Sequence, residues 1–190
     1  GYLQALINTE KGLVWTSLVN GWTGAECLKA SSPLFAVTME NKLIASSDFK
    51  VKDISIKEGK AVEFSLVHDA LNANLTISFN EERQLEFALK LTNVSDKNIK
   101  ITPSFISLNN VFISDAQKPS SIDDQWYCYP RRGSVVNNVP ASFNDPYSGL
   151  FPMQFLDVYH PQLGGIYIMK QDLTDEYKWW HECLSNEKIG

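Results

Sequence analysis

Leu85-Glu86-Phe87-Ala88-Leu89-Lys90-Leu91-Thr92-Asn93 places an apolar residue at every second position from Leu85 to Leu91, with Glu86, Lys90 and Thr92 between. Successive side chains of a strand point to opposite faces, so this run predicts a half-buried antiparallel strand with one greasy side. The pattern repeats upstream. Leu75, Ile77 and Phe79 interleave with Asn74, Thr76 and Ser78, and Val62, Phe64 and Leu66 with Glu63 and Ser65. In the run from Phe49 to Ile56 the phase slips between Val51 and Ile54. One extra residue returns the side chains to the core face, so a bulge is expected at Lys52-Asp53.

Turn-forming residues separate these runs at Glu10-Lys11-Gly12, Glu58-Gly59-Lys60, Asn80-Glu81-Glu82-Arg83 and Ser95-Asp96-Lys97-Asn98, and such spacing predicts hairpins. No segment carries apolar residues at i, i+3, i+4, i+7 over three turns. The βαβ alternation of a parallel sheet is absent as well. The expected fold is therefore all-β, an antiparallel two-sheet sandwich, with residues 1–190 forming one domain.

Past Asn109 the texture changes. Trp126, Tyr127, Tyr129, Pro130, Gly133, Pro140, Phe143, Pro146, Tyr147, Gly149, Phe151 and Pro152 crowd together, which reads as long loops serving a surface or a site. Strand character returns at Met153 to Tyr159 and Gly165 to Met169, and the residues from Asp172 on look like an exit segment.

Composition narrows the function classes. Lys and Arg number 17 against 22 Asp and Glu, a net charge of -5, with the cations scattered rather than striped, so a nucleic-acid partner is not expected. No apolar run approaches the roughly 18 to 20 residues that cross a bilayer, and membrane insertion is not expected. Cys27, Cys128 and Cys183 are an odd number without a C-x-x-C pair, read here as buried or idle thiols ahead of one disulfide with a spare.

Residues distributed over most of the chain resemble a known family. Gly12-Leu13-Val14 through Ser17-Leu18, Pro33-Leu34-Phe35, and Leu89 to Asn93 with the Ser95-Asp96 turn are similar to the opening sheet of galactose mutarotase-like sandwiches. Tyr129-Pro130-Arg131-Arg132-Gly133, Tyr147-Ser148-Gly149, the run from Phe151 to Asp157, and Gly164-Gly165-Ile166-Tyr167-Ile168 with Asp172 continue the likeness. They resemble the supersandwich that precedes the catalytic barrel in endo-α-N-acetylgalactosaminidase-like glycoside hydrolases and their uncharacterised relatives. The resemblance implies a non-catalytic accessory domain at the N-terminal part of a larger glycoside hydrolase. It also implies a (β/α)8 catalytic domain in the same polypeptide as partner, carbohydrate nearby, and a secreted, periplasmic or cell-surface location. Sandwiches of this family run longer than 190 residues, so the fold is expected to be trimmed or to continue beyond this sequence. The rival reading is a free-standing carbohydrate-binding or adhesion module.

Chemistry-bearing residues do not assemble into a catalytic signature. A mutarotase needs a Glu and His pair flanking the sugar ring, and His68, His160 and His181 sit in no such spacing. A glycosidase needs two carboxyls at a set separation. Asp123, Asp124, Asp157, Asp172, Asp175 and Glu176 are available, but a chain with 22 acidic residues always offers such names, and no catalytic residue is assigned. Asp157 stands out because it interrupts an apolar strand, and its expected role is structural.

Sugar recognition uses flat aromatic faces with planar hydrogen-bonding groups beside them. Trp126, Tyr127, Tyr129, Arg131, Arg132, Tyr147, Gln154, Trp179 and Trp180 are the candidates for carbohydrate binding or for an interface with a neighbouring domain. No cofactor and no metal site is expected. Calcium is the one candidate ion, through Asp123-Asp124 or Asp172 with Asp175-Glu176, although EF-hand spacing is missing. Asn74-Leu75-Thr76 and Asn93-Val94-Ser95 match the glycosylation sequon.

Overall fold

The alternating runs form strands whose lengths are set by the turns between them. A computed structural model describes residues 3–57, 59–81, 84–115, 117, 120–130, 135–139, 141–146, 153, 155–169 and 179–184, with 122, 135, 137, 141–146 and 179–184 described by backbone alone. In chain order the strands begin with β1 (Leu3–Asn8), β2 (Val14–Asn20), β3 (Glu26–Leu28), β4 (Ser32–Pro33), β5 (Phe35–Met39) and β6 (Lys42–Ala45). There follow β7 (Lys50–Lys57), β8 (Ala61–His68), β9 (Leu71–Phe79), β10 (Leu85–Asn93), β11 (Ile101–Phe105) and β12 (Val111–Ser114). The last six are β13 (Trp126–Tyr129), β14 (Val135–Asn137), β15 (Ala141–Pro146), β16 (Phe155–His160), β17 (Gly164–Met169) and β18 (Trp179–Leu184). Among the described residues, helix is confined to single 3-10 turns at Ser46–Asp48 and Ile122–Asp124. The fold is all-β, sandwich-like and built of antiparallel sheets, as the alternation requires.

Contacts divide the chain into two compact units, Gly1–Leu18 with Ala30–Asn110, and Val19–Lys29 with Val111–Gly190. The first unit contains the four-stranded sheet β10-β9-β8-β7. Its register sets Phe87, Ile77, Val62 and Ile56 in one cross-strand row and Leu89, Leu75, Phe64 and Ile54 in the next. Directly paired residues share a face, so these rows form one continuous apolar surface. Trp15 of β2 meets it edge-on through Phe87, with ring centroids 5.6 Å apart. Leu66, Leu71 and Leu75 are fully buried, and each contributes about 1.5–3 kcal/mol relative to an exposed side chain.

The bulge falls where the phase slip predicts it. Val51 pairs with Leu66 and Asp53 with Ser65, leaving Lys52 as the extra residue. A second sheet of this unit, β11-β5-β6, joins the same interior, with Phe35 edge-on to Phe49 at 5.3 Å. Ser46 ties the strands together, since its buried hydroxyl donates to Leu13 O and accepts from Leu34 N at 2.8 Å. Gly12 makes this approach possible. Its φ is +81°, and a Cβ there would lie 2.1 Å from Ser47 O.

In the second unit β13 lies between β14 and β16, and β17 completes a four-stranded antiparallel sheet. Strand β12 pairs with β3, and β15 pairs with β18 from Ala141↔Leu184 to Pro146↔Trp179.

Three expectations are corrected. The Ser95–Asn98 turn does not fold β11 back on β10, because β11 pairs with β5. The aromatic stretch past Asn109, read as long loops, contains β12, β13, β14 and β15. Trp126-Tyr127-Cys128-Tyr129 has no polar residue to reveal its alternation, and the strand preference of aromatic residues outweighs the nearby prolines. The presumed exit segment includes β18.

Candidate functional site

The residues of interest lie on one face of the β14-β13-β16-β17 sheet. Trp126 and Cys128 of β13 are half-buried, whereas Tyr127 and Tyr129 between them are buried, 6% and 5% exposed. Strand β16 alternates the same way, with Phe155, Asp157 and Tyr159 half-buried and Leu156, Val158 and His160 turned inward. Register then fixes what shares the open face. Trp126 stands opposite Tyr159 and Cys128 opposite Asp157. On the other side of β16, Asp157 stands opposite Tyr167 and Phe155 opposite Met169.

The result is a platform of rings around one carboxyl. Trp126 and Tyr159 stack with centroids 6.5 Å apart and an interplanar angle of 29°, and Phe155 stacks on Tyr167 at 5.6 Å and 29°. Tyr167 is 54% exposed, so its ring offers much of its surface to solvent. Gly165 pairs with Tyr159. A Cβ at Gly165 would fall 2.0 Å from Val158 O and 2.6 Å from the Tyr159 Cβ, so glycine is what lets the two strands close here.

Burial pushes the Asp157 carboxyl above its ordinary value of 3.8. Desolvation disfavours the charged form, and a carboxyl poised upward hydrogen-bonds as acceptor or, when protonated, as donor. Flat rings flanking such a group match the two demands of sugar recognition, apolar stacking and directional hydrogen bonding.

Of the sequence candidates, Trp126 lies on this platform. Tyr127 and Tyr129 face the opposite side of the sheet, inside the unit, and burial raises the Tyr127 hydroxyl pKa. Trp179 and Trp180 are placed by backbone in β18, paired with Pro146 and Asp145. Arg131, Arg132, Tyr147 and Gln154 lie outside the described residues. Sequence reasoning passed over Phe155, Tyr159 and Tyr167 as site residues. The odd-numbered alternation of Phe155, Asp157 and Tyr159 was the available signal, because it places the lone acid between two rings on one side of a strand.

Two other titratable groups are held by local hydrogen bonds, Asp124 and His160. Asp124 is held below its ordinary value by hydrogen bonds from the Ser121 N–H, then the Ser121 hydroxyl, at 2.9 and 3.0 Å. His160 accepts from Gln162 N at 3.1 Å through Nδ1. His68 tilts against Phe49, and the His181 side chain lies outside the described residues. Among the described residues, no three His, Cys, Asp or Glu side chains gather to hold a metal ion, and no helix is long and apolar enough to cross a membrane. Asp172, Asp175 and Glu176 lie outside the described residues. Both sequon asparagines, Asn74 and Asn93, are exposed, and Asn93 is engaged with Ser95 and Lys97 through its side chain.

No protein-family model, no curated protein and no solved structure matches this chain.

Proposed function

We propose that this chain is a carbohydrate-binding β-sandwich module that serves as a non-catalytic accessory domain of a secreted glycoside hydrolase, with a (β/α)8 barrel in the same polypeptide as its partner. The observation that carries the carbohydrate part is the platform on β13, β16 and β17, where Trp126, Tyr159 and Tyr167 surround Asp157. A sugar ring presents an apolar side to such aromatics and hydroxyls to the carboxyl. The accessory role rests on the resemblance given by Tyr129 to Gly133, Phe151 to Asp157 and Gly164 to Ile168.

Calorimetry of the purified chain against galactose, N-acetylgalactosamine and oligosaccharides containing them tests the binding role. Binding at millimolar concentrations or tighter is expected, and Tyr167→Ala, which removes a ring from the platform, is expected to abolish it while thermal unfolding shows the variant still folded. Heat signals absent for every sugar would remove the recognition role and leave bracing of the barrel alone.

A further inference from the structure

The first unit contains a cavity of about 370 Å³ beside the turns that join β7 to β8 and β9 to β10. Leu3, Ala5 and Ile7 of β1 line one wall, and Val62, Phe64 and Ile77 line the facing sheet. Among the described lining residues three carry polar side-chain atoms, namely Trp15, Lys57 and Lys60. Trp15 is 2% exposed, and its Nε1 is a buried donor to which no described group offers an acceptor. At the rim, Ile56 is 73% and Phe79 53% exposed, and Lys57 and Lys60 are exposed beside them. Lys57 is ion-paired with Glu63.

An indole N–H withdrawn from water without an acceptor costs on the order of 1–3 kcal/mol. Water is a poor remedy in such surroundings, since a held molecule needs about two to four polar partners and this lining supplies one buried side-chain donor. An apolar cavity of about 150 Å³ takes benzene, so the space here suits roughly a dozen heavy atoms. We infer that this cavity is a binding site for a medium-chain acyl acid, its chain along β1 and the facing sheet, an oxygen accepting from the Trp15 indole, and its negative charge near Lys60. The site is separate from the sugar platform, which belongs to the other unit.

The test is isothermal titration of the intact chain with decanoate and with its methyl ester, with thermal unfolding of each variant recorded alongside. Decanoate is expected to bind with a Kd on the order of tens of micromolar for a ligand of this size. The ester is expected to bind more weakly because it brings no charge to Lys60. Ala5→Trp, which fills the cavity from β1, should abolish binding, and Val62→Trp does the same from β8 should the first variant fail to fold. Trp15→Phe should weaken binding about two- to tenfold by removing one neutral hydrogen bond. The site is overturned by absence of decanoate binding or by full affinity in a folded, cavity-filled variant. Equal affinity for decanoate and its ester would overturn the acidic end, and an unchanged Kd in Trp15→Phe would overturn the indole contact.

Discussion

Gln125 holds Ile113 by both of its backbone hydrogen-bonding groups: Ile113 N donates to Gln125 Oε1 at 2.8 Å, and Gln125 Nε2 donates to Ile113 O at 3.0 Å. Both residues are fully buried. The side-chain amide thus stands in for a neighbouring strand at a point where β12 would otherwise bury an unpaired N–H and C=O.

Gln125→Leu should therefore destabilise the chain well beyond the loss of one contact. Two buried backbone groups lose their partners, at about 1–3 kcal/mol each. Urea unfolding should show a midpoint lowered accordingly, and a shift within about 0.5 kcal/mol of wild type, the range of an ordinary surface substitution, would refute the pairing.

Gly165→Ala is predicted to be far more harmful than Gly24→Ala. A Cβ at Gly165 meets Val158 O at 2.0 Å, which is backbone and cannot step aside without moving β16 from β17. At Gly24 a Cβ meets nothing within 4 Å, and the cost is that of an alanine at φ +74°, about 1–2 kcal/mol. Thermal unfolding of the two variants should rank them in that order. Because Gly165 pairs with Tyr159, its variant should also lose sugar binding while Gly24→Ala keeps it.

Cys27 is predicted to resist alkylation in the native chain. Burial pushes its thiol up to about 11, with a backbone hydrogen bond at Asn20 opposing and the Glu26 carboxylate adding to the rise. At pH 8 roughly one thiol in a thousand is then ionised, and the thiolate is the nucleophile. Iodoacetamide followed by peptide mapping should label half-buried Cys128 before Cys27, with Cys27 reacting only on unfolding. The same shift makes the folded state lose stability between about pH 9 and 11, since its thiol keeps the proton that the unfolded chain releases.

The sequence exposes the first unit more fully than the second, and the reason is contrast in polarity. Leu85 to Leu91 sets large apolar residues at every second place with Glu86, Ala88 and Lys90 between, so strand and face follow, and the phase slip even locates the bulge at Lys52-Asp53, which the pairing narrows to Lys52. Trp126 to Tyr129 alternates too, but between half-buried Trp126 and Cys128 and buried Tyr127 and Tyr129, a distinction that residue type does not carry. The platform was legible in fragments, Trp126 as a ring and Asp157 as an acid in an apolar strand. What joins them is register across β13 and β16, a relation between residues some thirty positions apart that only tertiary pairing sets. The Gln125 clasp on Ile113 was illegible for the same reason, because a glutamine before an aromatic run has no local signature. The turn at Ser95–Asn98 looks like any hairpin turn, and the pairing of β11 with β5 is a tertiary contact that the turn residues do not encode.

Asp157 yields a prediction whose sign separates the platform from an ordinary ion pair. Its folded carboxyl is raised above 3.8 by burial, so the native state holds that proton more tightly than the unfolded chain does. This contribution favours the fold below about pH 4, fades as pH rises through the raised folded value, and leaves a constant penalty at neutral pH. Asp157→Asn removes the ionisation and keeps the shape. The variant should therefore be more stable than wild type at pH 7, with the difference shrinking by pH 3.5, as read by urea titrations at both values. A paired carboxylate would give the reverse, a variant weaker at pH 7, because the lost charge would then have been stabilised by its partner. Sugar titration completes the argument, since an asparagine retains a planar acceptor and donor but no charge. Weaker sugar binding by a variant that is itself more stable at neutral pH would place Asp157 among groups kept at some expense of stability for what they touch.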